Sequence, residues 1–144
     1  MGLLADFVVA SPSDALQYAS FVGAGDALPA ERFERCEYKN YTNLSLDLLW
    51  ALLCNEKGDA KQHTLETVSI GDRGESWLFR FPDKFVNLIA TLDVGAIKRV
   101  ADAWADHADV PGDGGDNEPV LLDLKRLAVH AQTNGRSLYL WVSL

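Results

Sequence analysis

The chain has 144 residues, 48% of them hydrophobic and 24% charged, and 13 basic against 21 acidic residues leave a net charge of −8. That length fits one domain with a core that needs no disulfide or metal staple, and that composition excludes disorder as the ground state. The acidity repels phosphate backbones and anionic lipid and no Lys/Arg-rich stripe offsets it, so nucleic acid and membrane surfaces are excluded as partners, whereas a protein with a basic surface stays open.

Residues 2–10 (GLLADFVVA) are apolar at both parities, which predicts a strand covered on both faces and central in its sheet. Asp6 interrupts the apolar run, no basic stretch precedes it, and nothing in the chain approaches a membrane span. A bacterial cytoplasmic location is therefore expected, with the N-x-S/T triplets at Asn40 and Asn43 unglycosylated. Ser11-Pro12-Ser13-Asp14 opens a helix over 13–21 that Gly23-Ala24-Gly25-Asp26 ends. From Ala27 to Tyr41 the pattern reads as loop, with a strand near 35–40. Leu46, Leu48, Leu49, Trp50, Leu52 and Leu53 then put apolar groups round most of a helix over 45–55, capped by Ser45 or Asn43 and closed by Gly58. Such a helix belongs in the core, with Leu49, Trp50 and Leu53 buried.

Residues 64–70 and 75–81 flank Gly71-Asp72-Arg73-Gly74 and predict a β-hairpin whose Trp77, Phe79 and Phe81 face the core. Pro82-Asp83 starts a helix with Phe85, Leu88, Ile89 and Leu92 on one stripe. Asp93 caps another that carries Ile97, Val100, Ala101, Trp104 and Ala108 on its stripe. Pro111 to Pro119 reads as a flexible acidic loop, and a last helix over 119–133 buries Val120, Leu121, Leu124, Leu127, Ala128 and Ala131. Residues 137–144 (SLYLWVSL) form a strand apolar at both parities, like the first. These elements predict a single α+β domain over residues 1–144. It has a mixed sheet with the N- and C-terminal strands central, the hairpin at one side, and about five helices packed on it.

The order of these elements resembles the YfbM-like family of small bacterial proteins. The residues that carry the likeness are Met1-Gly2-Leu3-Leu4, Leu46 to Leu53, Phe85 to Leu92 and Tyr139 to Leu144. They are apolar scaffold positions, so the resemblance implies a fold; the family has no assigned activity, and the likeness implies nothing catalytic.

The densest polar constellation is Asp102, Asp106, His107, Asp109, Asp113, Asp116 and Glu118. Asp102 and Asp106 share a helix face and could clasp a hard cation, but the ligand spacing of a calcium loop is missing and a solvated face explains them equally well. Cys36 and Cys54 form neither a CxxC pair nor a zinc spacing with His63, His107 or His130, and Cys54 sits toward a helix C-terminus, where a thiolate is disfavoured. Asp6 on an apolar strand either reaches solvent at the sheet end or meets an Arg or a helix N-terminus, the structural ion pair being the expected case. Asp47 complements the dipole in the first turn of its helix. No phosphate loop, nucleophile elbow or zinc-protease motif occurs, so no catalytic, cofactor-binding or metal-ligating residues are expected. The reading that follows is a non-enzymatic protein that acts by protein–protein binding, immunity- or inhibitor-like, on a basic partner. Two alternatives stay open. One is a small-ligand binder or hydrolase whose site is built from scattered residues; the other is a homodimer held through the apolar terminal strand. A pocket with convergent polar groups would favour the ligand binder.

Overall fold

The computed structural model describes residues 2–23, 33–54, 63–71 and 73–144. The two segments with apolar side chains at both parities, β1 (Leu4–Ala10) and β5 (Ser137–Ser143), pair with each other in the middle of one sheet. The others are β2 (Glu34–Lys39), β3 (Glu66–Ile70) and β4 (Ser76–Arg80), and the strand order is β2-β1-β5-β4-β3. The central terminal strands and the hairpin at one side are as expected. With β5 hydrogen-bonded to β1 and β4, both its edges are paired within the chain. One expectation is corrected: all four ladders are antiparallel, so the sheet is not mixed. Apolarity at both parities reports coverage of both faces, and here helices supply that coverage without any parallel neighbour.

The helices are α1 (Pro12–Gly23), α2 (Asn43–Leu53), α3 (Asp83–Ala90), α4 (Ile97–Ala105) and α5 (Gly114–Thr133), with a 3-10 turn at Val94–Ala96 before α4. Ala5, Phe7, Val9, Leu138, Leu140, Val142, Phe79 and Phe81 form one sheet face and pack under α2–α5. The opposite face carries Val8, Ala10, Leu78, Tyr139 and Trp141 and packs with Ala15 and Tyr18 of α1 and with Phe33.

Sequence patterns explain most ends. Thr42 caps α2 and Ser45 stands at its third position, where Ser45 Oγ accepts from Thr42 N at 3.1 Å; the cap thus precedes both residues expected for it. Leu49 is 0% exposed, whereas Trp50 and Leu53 are half-buried, because α2 shows its C-terminal end at the core margin. Asp93 Oδ1 accepts from Gly95 N at 3.0 Å, as a cap should, but Ala108 lies beyond α4 and is exposed. The acidic loop is shorter than expected. Asp113 and Asp116 form a reciprocal capping box at 2.8 and 3.0 Å, so α5 begins at Gly114. The closing residues expected at Gly25, Asp26 and Gly58, and Asp72 of the hairpin turn, lie outside the described residues.

Candidate functional site

A sheet of five strands at ~4.8 Å spacing is roughly 19 Å across, about twice the width of one helix with its side chains. On the face opposite α2–α5, α1 packs on β1, β5 and β4. The result is a groove of about 650 Å³ between α1 and the β3–β4 hairpin. Leu16, Ala19 and Ser20 form its helical wall and Ser69 and Ile70 the opposite one. Ser76, Leu78, Trp141 and Ser143 lie along the floor, with Arg73 and Glu75 at the turn. Leu16 is an exposed apolar side chain, whereas Ile70 pairs with Trp77 and turns its side chain to the other face of the sheet.

The turn is fixed by its backbone. Gly71 N donates to Ser76 O and Gly74 N to Gly71 O, both at 2.8 Å, and Leu144 N donates to Glu75 O at 2.9 Å. Gly74 has φ 66°, a conformation that favours glycine, and a Cβ at Gly71 would collide with Ser76 Oγ. The floor holds the least satisfied polar group. Trp141 is 3% exposed, sits edge-on to Tyr18 at 6.4 Å between centroids, and its buried Nε1 donates to nothing among the described residues. A buried donor left so costs about 1–3 kcal/mol.

The residues singled out in the sequence are not brought together. Asp6 is 7% exposed on the α1 face; Tyr18 Oη donates to its Oδ2, and Arg35 Nη1 donates to Tyr18 Oη at 2.8 Å and lies 4.0 Å from that carboxylate. The expected Arg partner is thus present, with a tyrosine between. Burial raises the Asp6 pKa above the ordinary carboxylate range, against the Tyr18 hydrogen bond, and it pushes Tyr18 up as well. Cys54 is the C-cap of α2, and His63 packs edge-on to Trp50 at 5.1 Å. Cys36 Sγ accepts from Arg126 Nη2 at 3.0 Å. Asp102, Asp106, His107, Asp109, Asp113 and Asp116 are exposed, and among the described residues no group of three or more His, Cys, Asp or Glu is placed to hold a metal ion.

Asp47 does more than complement a helix dipole. It is 3% exposed, and its Oδ1 accepts from Leu65 N at 2.8 Å. Burial raises its pKa to about 6, with the Leu65 hydrogen bond opposing. The folded state therefore keeps this proton longer than the unfolded chain, and stability falls as pH rises from about 4 to about 6. Ionising the group costs up to about 3 kcal/mol at neutral pH. Asp47→Asn keeps an acceptor for Leu65 N without the charge. Urea denaturation at pH 7.5 is expected to show the variant more stable by about 1–3 kcal/mol, with a shallower fall between pH 4 and 6. A variant less stable at pH 7.5 overturns this account.

Among the described residues no helix is long and apolar enough to cross a membrane. No family model matches the chain, and no curated protein matches its sequence. Among solved structures it is similar to the crystal structure of YfbM from Escherichia coli, a protein of unknown function, at 11% identity and a TM-score of 0.44, over 98% of this chain and 99% of that one.

Proposed function

We propose that the chain is a single-domain, non-enzymatic binding protein of the bacterial cytoplasm whose small ligand seats in the groove between α1 and the β3–β4 hairpin. The observation that carries this reading is the 650 Å³ groove, lined in part by Trp141, whose buried indole N–H has no acceptor among the described residues. Ligand sites commonly have such a volume, and the lining of this groove is mostly polar. In a nitrogen-15 spectrum of the labelled chain, titrated with amino acids, short peptides, sugars, carboxylates and nucleotides, one class is expected to move the Trp141 indole resonance. The Trp104 resonance, whose N–H is bonded to Ser45 O at 2.8 Å, is expected to stay. A set of probes that all leave Trp141 unmoved sinks the reading.

A second reading keeps the basic protein partner. Asp102, Asp106, Asp109 and Asp113 are exposed and make no ion pair among the described residues, as a surface for a basic patch would require. Here capture of the partner from the source cell is expected to weaken steeply with salt and on Asp102→Asn with Asp106→Asn, and an insensitive complex rejects it.

A further inference from the structure

One residue, Ser11, separates β1 from α1, so the helix folds straight back over the strand it follows. Among the described side chains of α1, Ala15 and Tyr18 are buried, whereas α5 alone buries seven residues on the opposite face. Tyr18 holds the helix down. Its ring packs edge-on to Phe33 at 5.4 Å and to Trp141 at 6.4 Å, its Oη donates to Asp6 Oδ2, and Arg35 Nη1 donates to it at 2.8 Å. Asp6 is enclosed between β2 and β5, where its register partners are Glu37 and Trp141. Among the described residues the charged groups that face it are Arg35 and Glu37 of β2, paired with each other at 3.0 Å. From α1 it meets the Tyr18 hydroxyl and from β5 the uncharged Trp141. An element with few buried contacts opens locally at a lower free energy than the whole domain unfolds.

We propose that α1 is a lid over this face of the sheet, hinged at Ser11 and latched by Tyr18 on Asp6, and that it lifts more readily as acidity falls. Lifting uncovers Val8, Leu78, Tyr139 and Trp141 and withdraws Leu16, Ala19 and Ser20 from the groove wall. Proton linkage sets the direction. Burial under α1 raises the Asp6 pKa, against the Tyr18 hydrogen bond, while the open state returns the carboxyl to water and toward its ordinary value of about 4. The closed state therefore holds the proton longer. Its full stability is present below about pH 4 and is lost as pH rises through the raised value. The lid stands on this geometry whether or not the groove holds a ligand.

The test is native-state hydrogen exchange of the full chain, corrected for intrinsic rates. The α1 amides and the buried Trp141 indole N–H are expected to exchange through a smaller opening than the α5 amides, and that opening should grow several-fold from about pH 4.5 to about pH 7.5. Asp6→Asn, which keeps an acceptor for Tyr18 without the charge, should abolish this pH dependence. Tyr18→Phe, which keeps the ring, should enlarge the opening about ten- to a hundredfold at the upper pH, the loss of one hydrogen bond to a charged group. Asp47 belongs to α2 on the other face, so Asp47→Asn should change the pH dependence of the α5 amides and leave that of α1 as it was. Amides of α1 that open only together with those of α5 overturn the lid. An α1 opening that keeps its pH dependence in Asp6→Asn, or that Tyr18→Phe leaves unmoved, overturns the latch. Tyr18→Phe carries that decision alone should Asp6→Asn fail to fold.

Discussion

Deletion of residues 138–144 is expected to abolish cooperative folding. β5 joins β1 on one side to β4 on the other, so its loss removes both central ladders and leaves a β1–β2 pair and a β3–β4 hairpin. Two-stranded ribbons are marginal in water. The cut also removes Leu138, Leu140 and Val142 from one buried face and Tyr139 and Trp141 from the other. At ~1.5–3 kcal/mol for each buried side chain, the lost burial is of the order of 7–15 kcal/mol, as large as the whole stability of an ordinary domain. Circular dichroism should show no sigmoidal thermal transition, and proton–nitrogen spectra should collapse to the dispersion of an unfolded chain. A truncated chain that still melts cooperatively would falsify the placement of β5 at the centre of the sheet.

The centrality of β5 was legible because Ser137 to Leu144 carries no charge and shows apolar groups at both parities, a pattern no exposed strand sustains. The direction of its pairing was not legible, since side-chain alternation records which faces are covered and not which way the neighbours run. The start of α5 was hidden for a different reason. The run PGDGGDNEP has the composition of a loop, and only the three-residue spacing of Asp113 and Asp116 marks a capping box. Asp47 reads in sequence as a first-turn acid; its burial depends on the chain returning at Leu65, which no local pattern announces. The groove was beyond reach for the same reason. Trp141 reads as a core residue and is one, but whether its N–H finds an acceptor depends on which strands α1 covers, and helix-to-strand placement is a tertiary fact.

The two buried tryptophans on opposite faces of the sheet therefore make a controlled comparison. Trp104 is 0% exposed, stacks on Tyr41 at 5.6 Å, and donates through Nε1 to Ser45 O at 2.8 Å. Ser45 Oγ in turn donates to Asp109 O at 2.6 Å, so one residue of α2 grips both the indole of α4 and the segment after it. Trp104→Ala is expected to cost about 3–5 kcal/mol, by lost burial and the cavity left behind. At roughly 2–4 °C per kcal/mol for a domain near this size, the melting temperature should fall by about 6–20 °C. Trp104→Phe retains most of the apolar contact but gives up the bond to Ser45 O, so a loss of about 1–2 kcal/mol is expected. Trp141→Phe removes an N–H that has no acceptor among the described residues, and relief of that desolvation cost offsets the lost ring area. Its expected change is within about 1 kcal/mol of zero and smaller than that of Trp104→Phe. Urea denaturation of the three variants at one pH decides the matter. If Trp141→Phe costs as much as Trp104→Phe, the Trp141 N–H is bonded in the folded protein, and the groove loses the donor that marks it as a site.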